Sequence, residues 1–153
     1  MPSFGLFPAK PWATLALLFL IPAASAQGIA DLVAVNDPYV RAVPPMVKTS
    51  AAYMQLQSRD KVERFLVDAS TPIAGAVELH MHIHDEGVMR MRRVPHIHLP
   101  PQTTVALEPG GEHIMLFDLN TALIAGAKVP LTLIFEDGSR KEIQAEVRAP
   151  LGD

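Results

Sequence analysis

From Leu32 onward the chain breaks into short apolar or alternating runs, each closed by a turn signal. The runs cover residues 32–35, 40–43, 51–57, 65–67, 75–83, 88–94, 103–107, 113–119, 130–135 and 142–147. Between them stand Asp37-Pro38, Pro44-Pro45, Asp85-Glu86-Gly87, Pro109-Gly110-Gly111 and Asp137-Gly138, residues that favour turns through their backbone angles or side-chain hydrogen bonds. Short strands recurring every 8 to 12 residues, roughly, predict an all-β sandwich or barrel. A helical turn around residues 120–125 is the one helix expected. The 14 prolines suit loops and strand ends. With no repeat, low-complexity tract or linker, the 153 residues amount to one domain. There is no cysteine, so burial and strand pairing must hold the fold without disulfides.

The first 26 residues read as a leader rather than as fold. Lys10 gives a weak basic start, residues 12–21 an apolar run, and Ala24-Ser25-Ala26 a small-residue cleavage signal before Gln27. The expected division is a signal peptide at 1–26, cleaved near Ala26, and a folded domain at 27–153. The apolar run is short for a membrane span; a retained anchor is the alternative, and no stable membrane insertion is expected after processing. The leader holds one of the 13 basic residues and none of the 16 acidic ones, so the mature charge is −4 with neutral histidines. Nucleic-acid binding needs a positive footprint, so this charge argues against it.

His80, Met91, His113 and Met115 stand at the spacing H-x10-M-x21-H-x-M. If 77–91 is a hairpin turning between Asp85 and Glu86, His80 lies opposite Met91 and His82 opposite Met89. Directly opposed residues share a face, with Cβ atoms about 5 Å apart. On a strand, residues i and i+2 point the same way, so His113 and Met115 share a face while Ile114 turns to the core.

Two imidazoles and two thioethers form a soft, uncharged ligand set that suits Cu(I). Zinc favours Cys, His and carboxylate; calcium and magnesium want oxygen. A blue-copper electron-transfer site needs a cysteine thiolate, which is missing here. Holding copper is therefore the expected task. No serine stands in a nucleophile-elbow context, so enzyme activity is the least supported reading.

The same spacing resembles the periplasmic copper chaperone family known as PCuAC, whose motif is H-x10-M-x21-H-x-M. Other segments are similar to it too: Tyr39-Val40-Arg41-Ala42, Ala51-Ala52-Tyr53, Ala76-Val77-Glu78-Leu79-His80, Asp85-Glu86-Gly87-Val88-Met89-Arg90-Met91 and Leu107-Glu108-Pro109-Gly110-Gly111. The similarity runs over roughly residues 33–147. It implies a cupredoxin-like Greek-key β-barrel in the periplasm, with Cu(I) held by His80, Met91, His113 and Met115. It also implies delivery of copper to the binuclear copper site of cytochrome c oxidase, alongside a Sco-type thiol protein in some members.

The chain departs from the pattern in its extra histidines: His82 and His84 beside the first ligand, and His96 and His98 beyond the hairpin. Family members with a His/Met-rich tail carry a second copper site, and this chain ends without such a tail. His80, His82 and His84 share one strand face, and two histidines at i and i+2 can chelate one divalent ion, so a Cu(II) or zinc site built from the extra histidines stays open. The plainer reading makes them solvated residues, with Met46 and Met54 as packing. Two further alternatives stand beside the chaperone: a periplasmic copper buffer or resistance protein, and a noncatalytic β-sandwich binding module.

Overall fold

The computed structural model describes residues 26–150, together with Pro2. The leader expected at 1–26 therefore lies almost wholly outside the described residues. One helical turn, α1 (Ile29–Leu32), precedes ten strands. These are β1 (Val33–Arg41), β2 (Ser50–Ser58), β3 (Arg64–Ser70), β4 (Ala74–Asp85), β5 (Val88–Arg93), β6 (Ile97–Leu99), β7 (Thr104–Leu107), β8 (Glu112–Leu119), β9 (Lys128–Phe135) and β10 (Arg140–Arg148).

The strands hydrogen-bond in the order β5-β4-β8-β7-β2-β1-β10-β9-β3-β6, and β8 also pairs with β2. β3 and β4 are consecutive in the chain, joined only by residues 71–73, yet they lie near opposite ends of this order. Laid flat, and counting the direct β8–β2 pairing as the shortest path, six strand spacings would separate them by roughly 29 Å. Four peptide units reach at most about 14 Å. The sheet must therefore curl back on itself, and one core forms inside the curl. Leu79 of β4, Leu66 of β3, Ile97 and Leu99 of β6, Leu56 of β2 and Phe135 of β9 all belong to that single cluster. The result is the expected all-β, cupredoxin-like architecture.

Alternation decides which face each strand buries. In β9, Val129, Leu131, Leu133 and Phe135 point in while their neighbours point out. In β8, Ile114 and Leu116 fill the core, as the parity of the sequence requires. Met54 is core filler, but Met46 is 90% exposed, against the packing role expected for it.

Three elements differ from expectation. The runs at 32–35 and 40–43 join into β1, because the Asp37-Pro38 step is absorbed as an irregularity in the pairing with β2 rather than ending the strand. β6 was not foreseen: three residues between Pro95 and Pro100 are too few to show a period, yet Ile97 and Leu99 are fully buried. The helical turn expected at 120–125 is absent. Asn120 is tied instead to Pro72 and Ile73, and Gly126 donates to the Val147 carbonyl, so that segment is strapped across strand ends with Leu123 buried beneath.

Leu56 is fully buried in the central strand β2. Leu56→Ala should lower unfolding stability by about 2–5 kcal/mol, the range for a leucine cavity in a packed core. Urea denaturation checks this, and a loss under about 1 kcal/mol would place Leu56 outside a tight core.

Candidate metal centre

The site is built on the face of the sheet turned away from the core. β4 lies between β5 and β8, so its outward residues meet both neighbours. His80 is the ladder partner of His113 on β8, and their ring centroids are 6.0 Å apart. Two residues along β4, His82 stands 5.1 Å from His113, also between centroids. Tyr53 on β2 flanks His113 from the other side at 6.2 Å, and Phe117 flanks His80 at 6.0 Å. His113 is 1% exposed despite lying outside the main core.

Hydrogen bonds set the tautomers. The Nδ1–H of His113 donates to the Gly111 carbonyl at 3.0 Å, which leaves Nε2 with a free lone pair. The Nε2–H of His80 donates to the Glu78 carboxylate at 2.8 Å, which frees Nδ1. Glu78 is further held by Arg93 at 3.5 Å. The His80 hydrogen bond above all, opposed by desolvation and helped by the Arg93 charge, keeps its carboxyl below the usual range. Among the described residues, the buried side-chain nitrogens or oxygens without a partner are three: Nδ1 of His80, Nδ1 of His82 and Nε2 of His113. A ring oriented by a carboxylate or carbonyl on one nitrogen and free on the other is prepared as a metal ligand.

Burial pushes the His113 imidazole below its ordinary pKa, opposed by the Gly111 hydrogen bond and reinforced by His82, His80 and Arg41. The free nitrogen thus resists protonation more than that of a solvated imidazole. No three His, Asp or Glu side chains among the described residues have converged to enclose an ion, so nitrogen and carboxylate oxygen alone do not complete a cage.

Sulfur is available beside them. The hairpin turns at Glu86-Gly87, both with positive φ, as a two-residue loop of the type I′ class requires. This corrects the expected register by two residues. His80 faces Arg93, His82 faces Met91 and His84 faces Met89. Asp85 ends the strand opposite Val88 instead of sitting in the turn, because Gly87 takes the second positive-φ position. A shift of two keeps side-chain parity, so Met91 remains on the histidine face, diagonal to His80. Met91 is 45% exposed on β5, an edge strand. Met115 follows His113 on β8 and faces Glu78 across the ladder. The four motif residues therefore occupy one patch of three adjacent strands.

The other histidines divide. His82 belongs to the patch; its i, i+2 spacing from His80 leaves it open as a metal ligand in the sequence, and the structure sets its ring beside His113. His84 is exposed near the hairpin end. His96 and His98 pack edge-on and stacked against Phe65, at 4.7 and 5.3 Å, and His98 pairs with Glu63.

A family described as "Putative lipoprotein LpqE-like" matches residues 33–147. The chain belongs to this LpqE-like family. Lxx21020 of Leifsonia xyli subsp. xyli, named a putative lipoprotein, is 31% identical over 120 residues, covering 78% of this chain and 71% of that one. RP573 of Rickettsia prowazekii (strain Madrid E) is 33% identical over 102 residues, or 66% of this chain. That match spans 56% of RP573, little more than half its length. The solved structures it resembles bear out the PCuAC resemblance. The copper-bound PCuAC domain from PmoF2 superposes with a TM-score of 0.67 at 25% identity, covering 78% of this chain and 94% of that one. Apo-DR1885 from Deinococcus radiodurans is 32% identical with a TM-score of 0.63 and covers 97% of both chains. Its Cu(I) form is 33% identical with a TM-score of 0.60, covering 74% of this chain and 78% of that one.

The lowered His113 pKa carries a sign for the apo protein. The unfolded chain takes up the proton first, near pH 6.5, while the fold resists it. His113's contribution is therefore fully present above that value and declines as pH falls from it towards the folded pKa. Urea midpoints from pH 7.5 to 5.5 should fall for the native chain and fall less for His113→Gln. Equal slopes would show that His113 is not held neutral by the fold.

Proposed function

We propose that the protein is an exported metallochaperone that binds one Cu(I) through His80, Met91, His113 and Met115 and passes it on by ligand exchange. The observation that carries this is the set of unpartnered imidazole nitrogens beside an exposed methionine. Its supports are the copper-bound PmoF2 domain and the Cu(I) form of DR1885. The two imidazoles supply anchored nitrogen donors, and the thioethers supply the softness that selects Cu(I). All four ligands are neutral, so the loaded site gains only the charge of the ion, which favours surrender to an anionic thiolate acceptor.

No catalytic step is assigned. The chain would act in the periplasm after losing residues 1–26. Relatives named as lipoproteins support export, and no helix among the described residues is long and apolar enough to cross a membrane. The acceptor we favour is the copper subunit of cytochrome c oxidase, with a Sco-type thiol protein as co-worker. Edge strand β5 leaves Met91 reachable by such a partner.

Competitive titration of the reduced apo protein should give one Cu(I) per chain. Met91→Ile nearly conserves volume on an exposed strand and should leave the fold intact, while lowering Cu(I) affinity by about tenfold or more. Unchanged affinity would remove Met91 from the site.

Deleting the gene should lower assembled cytochrome c oxidase activity, with restoration by added copper. Intact oxidase together with reduced copper tolerance would replace the chaperone by a copper buffer.

A further inference from the structure

His82 is the feature the four-residue motif leaves unused. It is nearer to His113 than His80 is, at 5.1 against 6.0 Å between ring centroids. Its Nδ1 is buried without a partner, like one nitrogen of each of those two rings. Leaving a buried polar atom without a hydrogen-bond partner forfeits its hydration with nothing in return. Native structures rarely gather three in one place unless a ligand satisfies them.

The spacing fits a shared ion. A bound imidazole nitrogen stands about 2 Å from its metal, and the ring centre lies roughly 1 Å behind that nitrogen. Two rings meeting at a tetrahedral angle are then about 5 Å apart between centres, and about 6 Å at a wide angle. The observed 5.1 and 6.0 Å match these two cases. Among the described residues no three such side chains are yet arranged to hold an ion, so loading must turn at least one ring. His82 is only partly buried and has room to do so.

We propose that His82 is a third imidazole of the same centre, so that the site holds Cu(II) through His80, His82 and His113 in addition to Cu(I) through the His/Met set. This inference rests on the copper reading above and extends it to the oxidised ion. Cu(II) favours nitrogen and oxygen donors in tetragonal array, where thioethers are poor equatorial ligands. Three imidazoles and solvent meet that demand on the face where Met91 serves the reduced ion. A separate histidine-rich Cu(II) site finds no support: His96 and His98 are engaged with Phe65 and Glu63, and His84 is exposed.

The test uses the full mature chain, aqueous Cu(II) against a competing chelator, and Cu(I) against a chromophoric one. The wild type should take one equivalent of Cu(II), with electron paramagnetic resonance showing coupling to three imidazole nitrogens. His82→Gln should lose at least about tenfold more affinity for Cu(II) than for Cu(I), with the coupling reduced to two. Met91→Ile should move the ratio the other way, which keeps the test decisive if His82→Gln folds poorly. His84→Gln should shift neither affinity by more than about threefold, since it lies outside the cluster. Unchanged Cu(II) affinity in His82→Gln, equal losses of both ions in Met91→Ile, or normal Cu(I) uptake with no Cu(II) uptake would each overturn the proposal. Failure to take up either ion would refute the copper reading itself.

Discussion

One carbonyl organises the site. The Gly111 oxygen accepts the backbone N–H of His82 at 3.2 Å and the Nδ1–H of His113 at 3.0 Å. The first bond pins β4 beside the loop that precedes β8; the second fixes the tautomer and orientation of the most buried imidazole. A backbone carbonyl has two lone pairs, so both roles fit one atom. The loop that presents it is closed by two short bonds, Gly111 N–H to Glu108 at 3.0 Å and Glu108 N–H to Glu112 at 2.9 Å. Gly110 at φ +84° allows the chain to reverse there, a conformation that side chains rarely adopt.

A division between rigid and yielding members of the proposed ligand set follows from sheet position. His80 and His113 sit on paired strands β4 and β8, next to β2 in the middle of the strand order. Each ring is held through one nitrogen by Glu78 or Gly111. Met91 hangs on a strand with one free edge and every residue exposed. Its side chain has three rotatable bonds and a polarisable sulfur. Fixed imidazoles keep the geometry ready without further ordering, and a mobile thioether can be displaced without disturbing the core.

Much of this was legible in the residue order because period-two parity is a strong constraint. The placement of His113 and Met115 away from Ile114 needed no coordinates, and neither did the hairpin that returns Met91 to the face of His80. The pairing register was less legible, since Asp85-Glu86-Gly87 offers two turn centres and only backbone angles choose between them. Moving the turn centre by one residue shifts every partner by two, so the face survived the error although the direct partners did not. β6 could not be read from three residues flanked by prolines. The helical turn expected at 120–125 failed because long-range bonds to Ile73, Pro72 and Val147 outweighed local propensity. The Glu78 contact was foreseeable from its i, i+2 spacing to His80; the Gly111 contact was not, because it depends on how the loop folds.

The charge pattern around the centre bears on how copper would leave. The chain is acidic as a whole, yet β5 carries Arg90, Arg92 and Arg93 within six residues. Arg93 is drawn to Glu78 at 3.5 Å, and Arg90 stands 4.0 Å from Asp85. By strand parity Arg93 shares the face of Met91, while Arg90 and Arg92 point to the other side of the same exposed edge; under the proposed chaperone role, these cations would draw an anionic acceptor to that edge. Exposed pairs of this kind add little to stability, typically under about 1 kcal/mol. Their effect falls on encounter rates, which charge steers and salt screens. If the proposed transfer takes place, a preference for an anionic acceptor would give it direction, and the arginines that would supply it lie on the same strand as Met91.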